Sequence, residues 1–380
     1  MAPGNQSSPT RPTWAEINLD AFAENLQAVR ARVGKDVKIM AVVKANAYGH
    51  GAVEIAQEAL ANGAEMLGVA IPEEGVQLRN AGLSAPILVF TSPPPEQIPI
   101  YFNHELLPAI ASLESAEQFE REAELRNMRI GVHVKVDTGM GRLGFQWTDA
   151  HRSIIDVARL RHLDILGVFS HFASADERDK QYAKLQLQRF ADVLDSLRNS
   201  HLEIPEIHIA NSAAILDIPE SFFTMVRPGI MLYGYYPSHE TTESMSLRPV
   251  MSIKSRIVHL KHVCAGTSIS YNRRYVTTHD TWIATVPLGY ADGYSRLLTN
   301  RASVLINGHC YPVVGTVTMD HIMIDVGDGE VKLGDEVVLL GSSHEQRITA
   351  WDLADKIGTI PYEITCAISS RVPRVYIRDT

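Results

Sequence analysis

The residue best placed for covalent chemistry is Lys44. It follows an apolar run at residues 39–43 and precedes a segment of small and polar residues at 45–51, ANAYGHG. This order predicts a strand that ends in a loop, with the lysine at the end of the strand. An amine whose stem lies in apolar surroundings has a lowered pKa, so it can act as a base or form a Schiff base with a carbonyl group. Taken alone, the stretch slightly favours a lysine that simply ends a strand in solvent.

Other polar residues also lie where apolar runs end. Catalytic residues of barrel enzymes occupy the C-terminal ends of the strands. Each of these residues alone would be unremarkable. Their shared position predicts an active site but does not indicate which reaction it catalyses. The residues in question are Lys135, Arg142, His171, Ser212 and Arg227.

Two short segments of small residues suggest a phosphate site. They are 211–213, Asn-Ser-Ala, directly after the seventh of eight apolar runs, and 228–230, Pro-Gly-Ile, at the end of the eighth. Barrel phosphate sites commonly form from the loops after these two strands. Small residues let backbone N–H groups approach phosphate oxygens, and the hydroxyl of Ser212 adds a donor. A tight turn that needs glycine explains Gly229 about equally well.

Eight apolar runs, separated mainly by helical patterns, must position these residues. This alternation over more than 200 residues predicts an α/β fold with an N-terminal (β/α)8 TIM barrel. The runs are apolar throughout, as parallel strands buried on both faces should be. A doubly wound open sheet would use the same alternation, and the barrel is the leading prediction. The runs lie at residues 38–43, 66–70, 87–90, 106–110, 130–136, 165–170, 206–210 and 224–230.

The pattern changes around residues 236–249, a polar stretch flanked by prolines that we interpret as a linker. Beyond it, short strand-like runs punctuated by Gly, Asn and Pro dominate. The sequence therefore predicts a barrel domain at 13–243 and a mostly β C-terminal domain at 244–380.

Composition excludes several classes of protein. The chain has 380 residues, 45% of them apolar, and a formal charge of -9 without a basic run, which argues against nucleic acid as a partner. Its three cysteines form no CxxC pair, so neither a metal site nor a disulfide framework is expected. No apolar stretch is long enough to cross a bilayer. The polar residues 1–12 do not fit a signal peptide, and we expect a cytoplasmic protein.

Nine segments, in one fixed order, resemble the alanine racemase family, whose members are pyridoxal-phosphate enzymes of fold type III. The resemblance implies an isomerase that interconverts L- and D-alanine, with the D-alanine supplying cell-wall peptidoglycan. The segments are VVKANAYGHG (42–51), VKVDTGMGRLG (134–144), FSHFASAD (169–176), HIANSAA (208–214), RPGIMLYG (227–234), SISYNRRY (268–275), PLGYADGY (287–294), GTVTMDH (315–321) and IPYEITC (360–366).

The resemblance implies two catalytic bases, Lys44 and Tyr271, on opposite faces of a planar carbanion. Racemisation needs one base to take the proton and one to return it. A tyrosine has a reference pKa of about 10 and is a poor base unaided; His171 and Arg227 resemble the hydrogen-bonded chain that would polarise it. In the family this tyrosine comes from the partner subunit, which implies a homodimer with shared active sites.

The resemblance also assigns residues to the cofactor. Arg227 would face the pyridine nitrogen. Because an arginine does not accept a proton, the nitrogen would stay unprotonated, and the poorly delocalised carbanion would favour return of the proton over transamination. The remaining implied contacts are Lys44, Tyr48, Arg142, His171, Ser212, Gly229, Ile230 and Tyr362.

Substrate contacts follow in the same way. Arg142, Tyr290 and Met319 resemble residues that hold the substrate carboxylate and wall the pocket, with Asp320 nearby. Lys135 matches a lysine that is carbamylated in many members, and the new carboxylate would orient Arg142. Two departures are Thr318, where the family often has cysteine, and the basic loop 272–274.

Three alternatives remain open at this stage. One is a racemase of broader specificity, serine included, because discrimination by one small group is worth only about 1–3 kcal/mol. Another is a non-catalytic pyridoxal-phosphate barrel, which would lack the β domain and Tyr271. The third is a two-domain barrel decarboxylase, which would need a carboxylate where this chain has Arg227.

Overall fold

The first compact unit, residues 22–47 and 52–248, is built around a parallel sheet of eight strands. The computed structural model describes residues 10–379. The prediction that residues 1–12 are not a signal peptide therefore concerns a segment that lies mostly outside the described residues. A two-residue strand, Phe145–Gln146, adds to the fifth strand. In chain order the eight strands are Lys38–Val42, Met66–Val69, Ile87–Val89, Leu107–Ile110, Ile130–Asp137, Leu163–Phe169, Glu206–His208 and Met225–Val226.

These eight barrel strands pair in sequence order, and the eighth pairs with the first. Two backbone hydrogen bonds close the barrel between the seventh and eighth strands. The N–H of Thr224 donates to the carbonyl of Ile207, and the N–H of Arg227 donates to the carbonyl of Ala210. Met40, Met66, Leu88 and Met225 form a buried cluster contributed by four of the strands. The predicted TIM barrel is therefore confirmed, and each predicted apolar run overlaps one barrel strand.

Helices between the strands present one apolar face to the barrel. In the longest, Gln181–Asn199, the buried residues recur every three or four positions, from Ala183 through Phe190 to Leu197. This is the spacing of a one-sided amphipathic helix. The other helices are Leu19–Val33, Ala52–Ala61, Pro72–Asn80, Ile98–Asn103, Leu113–Arg126, Ala150–Ala158 and Ser212–Asp217.

The second unit, residues 10–21, 48–51 and 249–379, is mostly β. Its main sheet has ten strands, and its two helices are Ala350–Ile357 and Pro361–Cys366. A separate two-stranded ribbon joins Ser268–Ile269 to Tyr275–Val276. The sheet strands, in pairing order, are His259–Val263, Thr281–Val286, Ile322–Gly327, His309–Val314, Ser303–Ile306, Glu336–Ser343, Met251–Arg256, Thr13–Asn18 and Arg374–Ile377, with Gln346–Ile348 beside Glu336–Ser343.

The division of the chain differs from the predicted boundaries at the N-terminus. The prediction began the barrel domain at residue 13, whereas Thr13–Asn18 lies in the β sheet, antiparallel to Met251–Arg256 and parallel to Arg374–Ile377. Its alternating pattern indicates a strand, but a period of two does not tell which sheet the strand joins. The C-terminal change falls at 248/249, close to the predicted 243/244.

Among residues 10–379, no helix combines the length and apolar character needed to span a membrane.

Candidate active site

Lys44 directly precedes a strained turn. It lies just beyond the first barrel strand and is half-buried. The next four residues, Ala45 to Tyr48, all have φ between 52° and 53°. Left-handed backbone costs about 1–2 kcal/mol per residue for non-glycine residues. Four in succession are therefore sustained by surrounding contacts, a pattern that clusters at functional sites.

Three hydrogen bonds hold the turn in place, and one of them comes from a side chain outside it. The N–H of Ala45 donates to Oε1 of Glu74 at 2.6 Å. The N–H of Ala52 donates to Oδ1 of Asn46 at 2.9 Å, and the N–H of Ala47 donates to the carbonyl of Val43 at 2.9 Å. Glu74, near the start of the helix Pro72–Asn80, was missed by the sequence prediction; its acidic first-turn position was the available signal.

Arg227 follows the eighth barrel strand and is almost fully buried. Its Nη1 lies 2.7 Å from Nδ1 of His208. Its Nη2 donates to the carbonyls of Ser170 at 2.7 Å and Ile209 at 3.2 Å and lies 3.1 Å from Nδ1 of His171. Burial, followed by the nearby charge of Arg142, lowers the pKa of Arg227 to about 9, so the guanidinium is still charged at neutral pH.

The two imidazoles beside Arg227 are neutral. Burial is the largest cause holding the pKa of His208 well below its ordinary value, with Arg227 and His133 adding to it. For His171 the causes are burial and then the positive charges around it, of which Arg227 is the largest. His208 also stacks on Phe169, with ring centroids 5.0 Å apart. The sequence prediction missed His208 because a histidine inside an apolar strand is usually structural.

Lys135 is buried in the fifth barrel strand, with its Nζ 5.5 Å from the centre of the Phe169 ring. Burial, then Arg142 and Arg227, and finally Lys44 lower the pKa of Lys135 to about 8, against the opposing charge of Asp137. Arg142 itself is exposed. Four cationic side chains thus face one another at this end of the barrel, which is the electrostatic setting of a site for an anionic ligand.

Ser212 and Gly229, on the loops after the seventh and eighth strands, are joined directly. The N–H of Gly229 donates to Oγ of Ser212 at 2.9 Å. The serine hydroxyl accepts there and can donate its own hydrogen to a ligand oxygen. Ile230, the next residue, is buried at the start of a short 3-10 helix.

In the β unit, Tyr271 lies on an exposed turn. Its side chain is 69% exposed, and the neighbouring residues Ser270, Asn272 and Arg273 all have positive φ. Thr316 braces the turn, because its hydroxyl donates to the carbonyl of Tyr271 at 2.8 Å while its carbonyl accepts from Oγ of Ser270 at 2.7 Å. The backbone is fixed and the phenol projects outward.

Tyr290 and Met319 are held on paired loops. The N–H of Tyr290 donates to the carbonyl of Thr318 at 3.0 Å, and the next N–H, that of Ala291, donates to the carbonyl of Met319 at 3.1 Å. Tyr290 is 42% exposed and Met319 is 52% exposed. Asp320 accepts from Nη2 of Arg371 at 2.7 Å, so this predicted substrate residue already has an ionic partner.

Tyr48 and Tyr362, also in the β unit, face each other with ring centroids 5.9 Å apart. The predicted site residues thus form two groups, one in each unit. The barrel group is Lys44, Lys135, Arg142, His171, Ser212, Arg227, Gly229 and Ile230, and the β group is Tyr48, Tyr271, Tyr290, Met319, Asp320 and Tyr362.

Replacing Glu74 with Ala should weaken the turn after Lys44. The N–H groups of Ala45 and Ala70 would each lose a carboxylate acceptor, and a hydrogen bond to a charged group contributes about 1.5–3 kcal/mol. Urea unfolding should show that decrease in the free energy of unfolding. The matched control is Glu73→Ala, whose carboxylate accepts from the exposed amide of Gln97 and should change stability by less than about 0.5 kcal/mol. Equal effects of the two substitutions would remove Glu74 from this role.

Replacing Lys135 with Met should stabilise the cofactor-free protein below pH 8. The pKa of Lys135 falls from 10.5 to about 8 in the folded state. The unfolded chain therefore binds more protons between those pH values, and the wild-type stability rises across that window. The variant's advantage should be about 3 kcal/mol below pH 8 and should disappear towards pH 10.5. Urea unfolding in buffer freed of carbon dioxide measures this difference in the free energy of unfolding. A difference that does not change with pH would contradict the lowered pKa of Lys135.

Known proteins share this arrangement over nearly the whole chain. Residues 17–237 match the family description "Alanine racemase, N-terminal domain", and residues 250–376 match "Alanine racemase, C-terminal domain". An alanine racemase of Halothermothrix orenii is 49% identical over 368 residues, 97% of either chain. One from Clostridium novyi is 45% identical, over 97% of this chain and 96% of its own.

Solved structures agree. An alanine racemase of Clostridium difficile superposes with a TM-score of 0.94 at 41% identity, over 98% of this chain and 97% of its own. One from Bartonella henselae, with covalently bound pyridoxal phosphate, gives a TM-score of 0.86 at 29% identity, over 97% of this chain and 100% of its own. With both domains matched in order and almost end to end, the chain belongs to the alanine racemase family.

Proposed function

We propose that this protein interconverts L-alanine and D-alanine with pyridoxal phosphate as its cofactor. The observation that carries the proposal is Arg227, a buried guanidinium held by two neutral imidazoles and two backbone carbonyls. It lies at the same barrel end as Lys44, since both follow parallel strands. A decarboxylase would want a carboxylate in place of Arg227. A simple cofactor carrier would have no use for Tyr271 and the domain that bears it.

The residues at the barrel end fit such a cofactor. Four cations suit its phosphate and phenolic oxygens, and the Ser212 hydroxyl has a hydrogen to donate. When bound, pyridoxal phosphate withdraws electrons from the substrate Cα and makes its proton acidic. We infer that the residues holding it are Lys44, Tyr48, Arg142, His171, Ser212, Arg227, Gly229, Ile230 and Tyr362.

Arg227 determines which reaction the site favours. It presents hydrogen-bond donors and no proton acceptor, so it would leave a cofactor ring nitrogen bound against it without a proton. Electron withdrawal by the cofactor would then be weaker than in enzymes that place a carboxylate at this position. Return of the proton to the substrate Cα is favoured over reactions that need a long-lived carbanion.

Lys44 and Tyr271 are the proposed acid–base pair. Lys44 would exchange the proton on one face of the substrate Cα and Tyr271 on the other. The strained turn supports this role for Lys44, because it fixes the backbone directly after the amine. The phenol of Tyr271 is exposed on a braced turn, as a group that acts on another surface should be.

We propose that Tyr271 acts in the barrel of a second copy of the chain, within a homodimer that shares two active sites. A 69% exposed tyrosine on a rigid turn supports an intermolecular role. Tyr290 and Met319, also exposed on paired loops, would wall the substrate pocket from the same side. The ion pair of Asp320 with Arg371 supports a role in fixing this loop.

Arg142 would bind the substrate carboxylate and the phenolic oxygen of the cofactor. Lys135, with a pKa of about 8, has a substantial neutral fraction near neutral pH, and a neutral amine is the form that reacts with carbon dioxide. Carbamylation would replace a repulsive cation beside Arg142 with an anion that orients it. We further propose that the enzyme acts in the cytoplasm and supplies D-alanine for peptidoglycan.

The reaction is tested with purified protein, added pyridoxal phosphate and L-alanine in deuterated water. Optical rotation should disappear while deuterium accumulates at Cα, and Lys44→Ala should abolish both. Lys35→Ala, which removes an exposed lysine of the barrel unit, is the matched control and should keep full activity. Optical rotation that persists with wild-type protein would refute the racemase. If deuterium nevertheless entered at Cα, the proton would be leaving and returning on the same face, and the site would lack the second proton donor.

Shared active sites are tested by mixing two inactive variants, Lys44→Ala and Tyr271→Phe. In a mixed dimer one site combines the intact lysine of one copy with the intact tyrosine of the other. Random exchange in an equal mixture should therefore restore about a quarter of the native sites. If each copy built its own complete site, mixing would restore no activity.

A further inference from the structure

A line of polar side chains continues from Arg227 through the interior of the barrel. His208 accepts at Nδ1 from Arg227 at 2.7 Å, and its Nε2 lies 2.9 Å from Nδ1 of His133. Nε2 of His133 lies 3.2 Å from Oε2 of Glu206, at ion-pair distance but without the alignment of a hydrogen bond. The other carboxylate oxygen of Glu206 accepts from Lys38 at 2.6 Å. Both imidazoles are completely buried.

The far end of this line lies at the opposite end of the barrel from the proposed active site. Glu206 is the first residue of the seventh barrel strand and Lys38 the first residue of the first strand. Residues at this N-terminal end usually serve stability. Here the carboxylate is connected to the active-site arginine through two imidazole rings.

The proton positions along the line follow from chemistry. Arginine can only donate, so Nδ1 of His208 carries no hydrogen and its Nε2–H points at His133. Nδ1 of His133 must then accept, which places its hydrogen on Nε2, facing the carboxylate of Glu206. The reverse direction would set an N–H of His208 against an N–H of Arg227.

The charges at the two ends enforce that direction. Burial alone would raise the pKa of Glu206, but its contacts with His133 and Lys38 hold it below its ordinary value. The group stays an anion and accepts only. A donor-only cation at one end and an acceptor-only anion at the other therefore fix both tautomers between them.

We propose that Glu206 and His133 are positioning residues, which fix the tautomer and ring orientation of His208 and so keep the guanidinium of Arg227 in place at the active site. The consequence for the reaction rests on the proposed function. The proton arrangement itself does not, because it is a property of the chain without cofactor or substrate.

The test is 15N NMR of histidine-labelled, cofactor-free protein, with His133 and His208 assigned from single His→Asn variants. The 15N shifts of wild-type protein should identify both as neutral rings with hydrogen on Nε2. In Glu206→Gln the amide can donate or accept, so both rings should shift towards a tautomer mixture. Asp164→Asn is the matched control, because Asp164 is a carboxylate at the same barrel end that pairs with Arg129; it should leave both rings unchanged.

Lys38→Met separates positioning from mere loss of the surface ion pair. It removes the partner of Glu206 but keeps the carboxylate facing His133, so the histidine tautomers should persist. In the loaded enzyme, Glu206→Gln should lower kcat about tenfold with little change in KM, an effect of the size seen when a group that orients a metal-bound histidine is lost.

Hydrogen on Nδ1 of His208 in the wild-type spectrum would overturn the proposal, even if Glu206→Gln failed to fold. Unchanged histidine shifts in a folded Glu206→Gln would overturn it as well. A third outcome separates the two proposals. If Glu206→Gln changes the histidine shifts as expected but the wild-type protein does not racemise alanine, the proposed function is rejected and the proton arrangement stands.

Discussion

The site depends on a buried cation that no carboxylate of residues 10–379 contacts directly. Arg227 donates to two neutral imidazoles and to the carbonyls of Ser170 and Ile209. Burying a charge is costly unless it is well hydrogen-bonded. Neutral acceptors satisfy the guanidinium N–H groups without cancelling its charge. The arginine therefore retains a positive field for whatever faces it, and its own pKa of about 9 keeps it charged.

A second constraint is the left-handed backbone after Lys44. Stiff, strained turns place a side chain more sharply than flexible loops, because few alternative conformations compete. The strain is offset by the contacts of Glu74 and Asn46 with backbone N–H groups. Rigidity on the lysine side and on the tyrosine side, where Thr316 braces Tyr271, fits a reaction in which two groups must address opposite faces of one atom.

Much of this could be predicted from sequence because parallel barrel strands are buried on both faces and read as continuous apolar runs. The ends of those runs located Lys44, Lys135 and Arg227, while the roles of these residues came from family resemblance and stay predictions. The strand Thr13–Asn18 was assigned to the barrel because local alternation carries no information about pairing partners. The role of Glu74 was not predicted for a similar reason: it accepts from the N–H of Ala45, which lies 29 residues away in the sequence.

His208 shows why a buried histidine cannot be interpreted from its sequence position alone. In a strand it has the same pattern as a packing residue, and part of its surface is indeed packing, against Phe169. Its chemical role comes from the direction of its hydrogen bonds, and that direction depends on Arg227 on one side and on His133, backed by Glu206, on the other. A barrel brings such residues together because its strands run side by side through one interior. The end that performs chemistry can thus depend on a charge at the end that does not.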